Sequence, residues 1–139
     1  MSSPSGGILT GARAAVAALE DAGVSVAFGL PGVHNLALWR ELNGSPIRLV
    51  GVRHEQTAAY AADGYARASG RLGVALTTTG PGAANTLAAV GEAWASRQPV
   101  LVIATDIPST ARRPTSPSSP PPHRARQKAI PRRSRGPRR

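Results

Sequence analysis

The chain has no cysteine, which excludes disulfides, thiolate nucleophiles and thiolate metal centres. Aromatic residues make up only 4% of it, one Phe, two Tyr and two Trp, too few for the stacking platforms that grip single-stranded nucleic acid. Its longest apolar runs, such as Val100 to Ala104, fall far short of the roughly 20 residues that span a bilayer. The opening Met-Ser-Ser-Pro-Ser-Gly-Gly lacks the basic and apolar regions of a secretory signal. A soluble, cytoplasmic protein with no membrane partner is expected. The most uneven absence is negative charge, because no Asp or Glu follows Asp106.

Up to Ser109 seven arginines are balanced by seven acids, so the net charge of +10 resides in Thr110 to Arg139, which holds nine Arg and one Lys. That segment also carries seven of the 13 prolines, no aromatic residue and a single isolated Ile130. Such a composition buries too little apolar surface to offset the cost of ordering, and a disordered basic tail is expected over 109–139. It also has the look of GC-rich coding sequence read out of frame. Loss of the native frame shortly after Pro108 predicts an α/β continuation in another frame of the downstream nucleotides, and its absence there would count against the idea. Ten cations without acids would attract polyanions with steep salt dependence, which makes nucleic-acid binding through the tail an alternative function. The lack of aromatic platforms weighs against it, and charge runs of this kind are commonly just solvated.

Before the tail, residues 1–7 read as a flexible opening and 8–108 as one domain. Thr10 is placed to cap a helix running to Ala22, which Gly23 stops. Val24 to Phe28 reads as a buried strand entering Gly29-Leu30-Pro31-Gly32, followed by a short helix over about 35–42. Ile47 to Val52 is a second strand, and its exit through Arg53-His54-Glu55-Gln56 opens an alanine-rich helix closed by Ser69-Gly70. Gly73 to Thr79 is a third strand, running into Gly80-Pro81-Gly82. A helix over 83–95 carries Ala84, Leu87, Ala88, Gly91 and Trp94 as one stripe at the 3.6 period. Val100 to Thr105 is a fourth strand. Strands alternating with helices across short connections predict an α/β fold, an open parallel sheet with helices on both faces. About 110 residues are marginal for a domain alone, so stability is expected to draw on a partner surface. Ala58, Ala59, Ala61, Ala62 and Gly64 would let the long helix pack closely on another subunit.

Three stretches, each at the end of a successive strand, resemble the N-terminal pyrimidine-binding domain of thiamine-diphosphate-dependent enzymes of the acetolactate synthase and 2-oxo acid decarboxylase superfamily. They are Phe28-Gly-Leu-Pro-Gly32, then Arg53-His-Glu-Gln56 with Ala62-Asp-Gly-Tyr-Ala66, then Gly80-Pro-Gly82 with Asn85. The wording Gly32-Val33-His34-Asn35 also looks like the subgroup that decarboxylates 5-guanidino-2-oxopentanoate. The resemblance implies a cofactor, thiamine diphosphate, whose thiazolium carbon loses a proton to give the carbanion, or ylide, that attacks a 2-oxo acid. It implies for Glu55 a hydrogen bond to the aminopyrimidine that favours its imino tautomer and so promotes that proton loss. A carboxyl with a raised pKa in a dry pocket would share that proton better than one in bulk water. Without the resemblance, Glu55 is an acid in the first turn of a helix, favoured by the macrodipole. Thr79, Gly80, Pro81 and Gly82 are implied to meet the pyrimidine, their lack of bulk letting the backbone approach a flat ring. Pro31 and Gly32 are implied to touch the cofactor, and the residues just after them to approach the reacting carbon; His34 either transfers a proton there or caps the helix at Asn35. His54 lines the mouth of the site or anchors its turn, and Asn85 braces the loop or an interface.

The family holds the cofactor's diphosphate and Mg²⁺ through a Gly-Asp-Gly motif in a separate domain, and no Gly-Asp-Gly occurs in this chain. Asp63-Gly64 follows Ala62 inside a predicted helix and is no substitute. The resemblance therefore implies half a site, no metal ligand here, and a partner that supplies the diphosphate-binding domain from another chain or from a missing C-terminal part. The family's full-length members are homodimers or tetramers. Two readings stay open, a truncated enzyme fragment and a natural split subunit, and the chain alone is expected to bind the cofactor weakly and to be inactive.

Overall fold

The computed structural model describes residues 10–107, so the expectations for 1–7 and for the basic tail beyond Pro108 lie outside the described residues. Nine elements follow in order: α1 (Gly11–Asp21), β1 (Val26–Gly29), α2 (Leu36–Asn43), β2 (Arg48–Gly51), α3 (Glu55–Ser69), β3 (Gly73–Thr77), α4 (Pro81–Ala84), α5 (Leu87–Ala95) and β4 (Val100–Ala104). The four strands form one parallel sheet in the order β2-β1-β3-β4. Helices lie on both of its faces, as the alternating pattern predicts.

Local chemistry sets the element ends. Thr10 caps α1 by accepting the Arg13 N–H at 3.2 Å. Gly23 and Gly70, at φ +70° and +66°, turn the chain out of α1 and α3 through the left-handed region that a Cβ disfavours.

Each strand sends alternate residues to opposite faces. Val74 and Leu76 of β3 join Val16 and Leu19 of α1 and Leu38 and Leu42 of α2 in an aliphatic core on one side. Ala75 faces the other side, where it meets Ala58, Ala59 and Ala62 of α3 and Ala89 of α5. There the separation is minimal. A Cβ on Gly73 would fall 2.0 Å from the Ala62 carbonyl oxygen, so only glycine lets α3 lie against β3.

The helix predicted over 83–95 is broken in two. Asn85 and Thr86 separate α4 from α5: the Thr86 N–H turns to the Ala83 carbonyl at 3.1 Å, and its hydroxyl donates to the same oxygen at 2.7 Å. The stripe of Leu87 and Trp94 also faces outward, at 68% and 86% exposure, while Ala89 and Ala93 are buried. The physical reason is the wall α5 packs on, since the alanine face of α3 admits small side chains only.

Candidate functional site

All four strands are parallel, so their carboxyl ends share one rim. The order 2-1-3-4 puts the reversal of winding between β1 and β3, where open α/β sheets bind ligands. The loops leaving these two strands touch there: a Cβ on Gly32 would lie 2.8 Å from Thr78 Cβ. Gly32 is held by Asn35, a fully buried side chain whose Oδ1 accepts the Gly32 N–H at 2.7 Å and whose Nδ2 donates to the Leu30 carbonyl at 3.0 Å. Asn35 was not among the expected site residues. Its signal in the sequence was an asparagine three positions past a Pro-Gly turn, where such side chains habitually bond back to the loop.

Glu55 enters this rim from β2. It is the first residue of α3 and only 9% exposed. His54, exposed beside it, caps the helix by accepting the Gln56 N–H on Nδ1 at 3.2 Å, which fixes where α3 begins. From the other side α4 closes on the carboxylate. A Cβ on Gly82 would sit 3.2 Å from Glu55 Oε1 and 2.8 Å from Thr78 Cγ2, and Asn85 Nδ2 donates to Glu55 Oε2 at 3.1 Å. Gly80 makes the turn into α4 at φ +60°, with Pro81 at the helix start. Thr79 Oγ1 reaches Asp106 after β4 at 3.4 Å. Glu55, Gly82 and Asn85 thus meet at one point, with Thr79, Gly80 and Pro81 in the loop leading to it.

The electrostatics differ from the raised pKa expected of a dry pocket. The Asn85 donor, then the residue's own backbone N–H, hold the Glu55 carboxyl below its ordinary value. Burial opposes them, and the His54 charge adds to the lowering. A rim position leaves desolvation too weak to outweigh two donors.

His34 lines a cavity of about 350 Å³ with α1, Ala37, Leu38, Ile103, Thr105 and Asp106, the last of which also meets Thr79. Asp63 is buried in α3 and accepts from Arg67 Nε at 2.8 Å, an intrahelical ion pair. Its Oδ1 has no hydrogen-bond partner.

The residues fit one end of an elongated cofactor. A buried carboxylate, with one oxygen braced and the other under a glycine whose Cβ would crowd it, is a cradle for a flat ring bearing a nitrogen. Among the described residues no group of three or more His, Cys, Asp or Glu gathers to hold a metal ion. No helix among the described residues is long and apolar enough to cross a membrane.

Residues 9–130 match the profile of a family described as "Thiamine pyrophosphate enzyme, N-terminal TPP binding domain", so the match continues past Pro108 into the Arg/Pro-rich segment. The chain is 52% identical over 97 residues to "Probable 2-ketoarginine decarboxylase AruI" of Pseudomonas aeruginosa, covering 70% of this chain and 17% of that protein. It is 43% identical over 101 residues to "Probable acetolactate synthase large subunit" of Methanocaldococcus jannaschii, covering 73% and 17%. It is also 43% identical over 100 residues to "Acetolactate synthase large subunit IlvB1" of Mycobacterium tuberculosis, covering 71% and 16%. The chain spans less than a fifth of the length of these relatives.

Proposed function

The chain belongs to the thiamine pyrophosphate enzymes through their N-terminal TPP-binding domain, and from that premise we propose that it is the pyrimidine-binding half of a site acting on 2-oxo acids. The observation that carries this is the Glu55 carboxylate, buried at the switch point of the sheet with Gly82 against one oxygen and Asn85 on the other. Bound thiamine diphosphate supplies a carbon nucleophile and electron sink that no side chain of this protein offers. Glu55 is held as the anion in this chain alone; covered by the ring and so further desolvated, it would share a proton with the pyrimidine nitrogen and favour the imino tautomer. The Gly80-Pro81-Gly82 turn admits the flat ring, and Pro31 and Gly32 border the approach to it. The higher identity to the 2-ketoarginine decarboxylase than to the acetolactate synthases favours decarboxylation of a 2-oxo acid with a long polar side chain.

The diphosphate and Mg²⁺ fall to a domain outside this chain, whether in a partner subunit or in a longer form of the protein. Assembly is into a homodimer or tetramer in the cytosol. The chain alone is inactive and holds the whole cofactor weakly, since most of the binding contacts to the diphosphate and metal are missing.

Thiamine, which carries the pyrimidine but no diphosphate, tests the pyrimidine role directly. Added at millimolar concentration to the ¹⁵N-labelled chain, it should shift the amide signals of Glu55, Thr79, Gly80, Gly82 and Asn85. A response confined to other residues, or none, would overturn the reading. Calorimetric titration with thiamine diphosphate and Mg²⁺ should show binding weaker than micromolar; micromolar binding would refute the half-site.

A further inference from the structure

The two oxygens of Glu55 are treated differently. Oε2 accepts from Asn85 Nδ2 at 3.1 Å, while Oε1 lies beneath Gly82. Asn85 owes its place to the break between α4 and α5. Its own N–H still closes α4 on the Pro81 carbonyl at 2.9 Å, and Thr86 then turns back to Ala83 before α5 starts at Leu87. Asn85 thus reaches the buried carboxylate from an exposed position.

We propose that Asn85 is the positioning residue of this site: its amide fixes the Glu55 carboxyl by Oε2 and leaves Oε1 as the oxygen presented to the ring. This rests on the reading of Glu55 as the pyrimidine's partner. An amide suits a carboxyl that must trade a proton. Its NH₂ donates to the ionised form, and a half-turn about the last side-chain bond lets its carbonyl accept from the protonated form. Glu55 keeps a partner in both states, where a lysine would hold it as an anion and an alanine would leave a buried oxygen unpaired. Among the described residues the charged group acting on Glu55 is His54 on its own helix cap; the α4 side brings Gly82 and Asn85, neither of which titrates.

The test follows the Glu55 carboxyl carbon by NMR through an acid titration of the full chain, with the Asn85 side-chain NH₂ signal read in the same samples. In the unmodified chain the Asn85 signal should move with the Glu55 midpoint. Asn85→Ala should shift that midpoint upward, and Asn85→Asp should do the same by placing a second carboxyl beside the first. An Asn85 signal indifferent to Glu55 protonation overturns the proposal without any substitution, and an unmoved midpoint in folded Asn85→Ala does so as well. Thiamine separates the two ideas. If it perturbs Glu55 while Asn85 is uncoupled, the positioning role fails and the proposed function stands. If the coupling is present but thiamine perturbs nothing, the proposed function fails and the presentation of Oε1 to a ring fails with it, while the hold of Asn85 on Glu55 stands.

Discussion

Val16, Leu19, Leu38, Leu42, Val74 and Leu76 fill the space between the sheet and α1 with α2, whereas Ala58, Ala59, Ala62, Ala75 and Ala89 fill it between the same sheet and α3 with α5. Branched aliphatics bury about 1.5–3 kcal/mol each and keep their helices at a distance. Alanines contribute far less per residue and bring the helix backbone onto the strands. One face therefore holds the fold together, and the other gives up stabilisation for proximity. Through that proximity Glu55, opening α3, arrives under Gly82.

The largest effect expected from breaking this division is on the aliphatic side. Leu76→Ala, at a fully buried position, should cost about 2–5 kcal/mol in urea unfolding and leave the Glu55 cluster intact in whatever fraction folds. On the alanine side the failure should come from adding atoms. Gly73→Ala drives a methyl into the Ala62 carbonyl and should cost about 3 kcal/mol, at the upper end of overpacking. Ala62→Val should cost about 1–3 kcal/mol by the same unfolding measurement. If either left stability unchanged, the helix would not be as close to the strand as the structure has it.

Smaller still in stability is Gly82→Ala. Its methyl would meet the flexible end of Thr78 and Glu55 Oε1, so the unfolding free energy should fall by about 1 kcal/mol or less while the thiamine response is lost. The smallest effect is on acid stability. Because the folded Glu55 carboxyl is held below its ordinary value of 4.5, it stabilises the fold at neutral pH and loses that contribution as pH falls from 4.5 through its folded value. Glu55→Gln should accordingly flatten the acid side of a plot of melting temperature against pH. An unchanged slope would mean that the Asn85 contact does not form in solution.

The parallel strands and the strand-end motifs were legible in the sequence, and the alanine face was only partly so. Helical spacing revealed that Leu87 and Trp94 share a stripe. Spacing does not say what wall the helix meets, and a wall of alanines leaves that stripe outside. The break at Asn85 was hidden for a similar reason, since Asn85 and Thr86 leave the helix to satisfy partners at Glu55 and Ala83, and the Glu55 partner lies 30 positions away in the chain. The place of Glu55 at the strand-to-helix turn was legible, because His54 and Gln56 beside it define the helix start. Asn35 was not legible because its work is on the loop before it, whereas its position at the start of α2 reads as part of the helix alone.

The central claim, that Glu55 is the group the pyrimidine recognises, is tested most directly by comparing thiamine binding to the unmodified chain and to Glu55→Gln by NMR titration. Loss of the response at Thr79, Gly80, Gly82 and Asn85, with the rest of the spectrum unchanged, is the predicted result. Equal binding by the two proteins would contradict it.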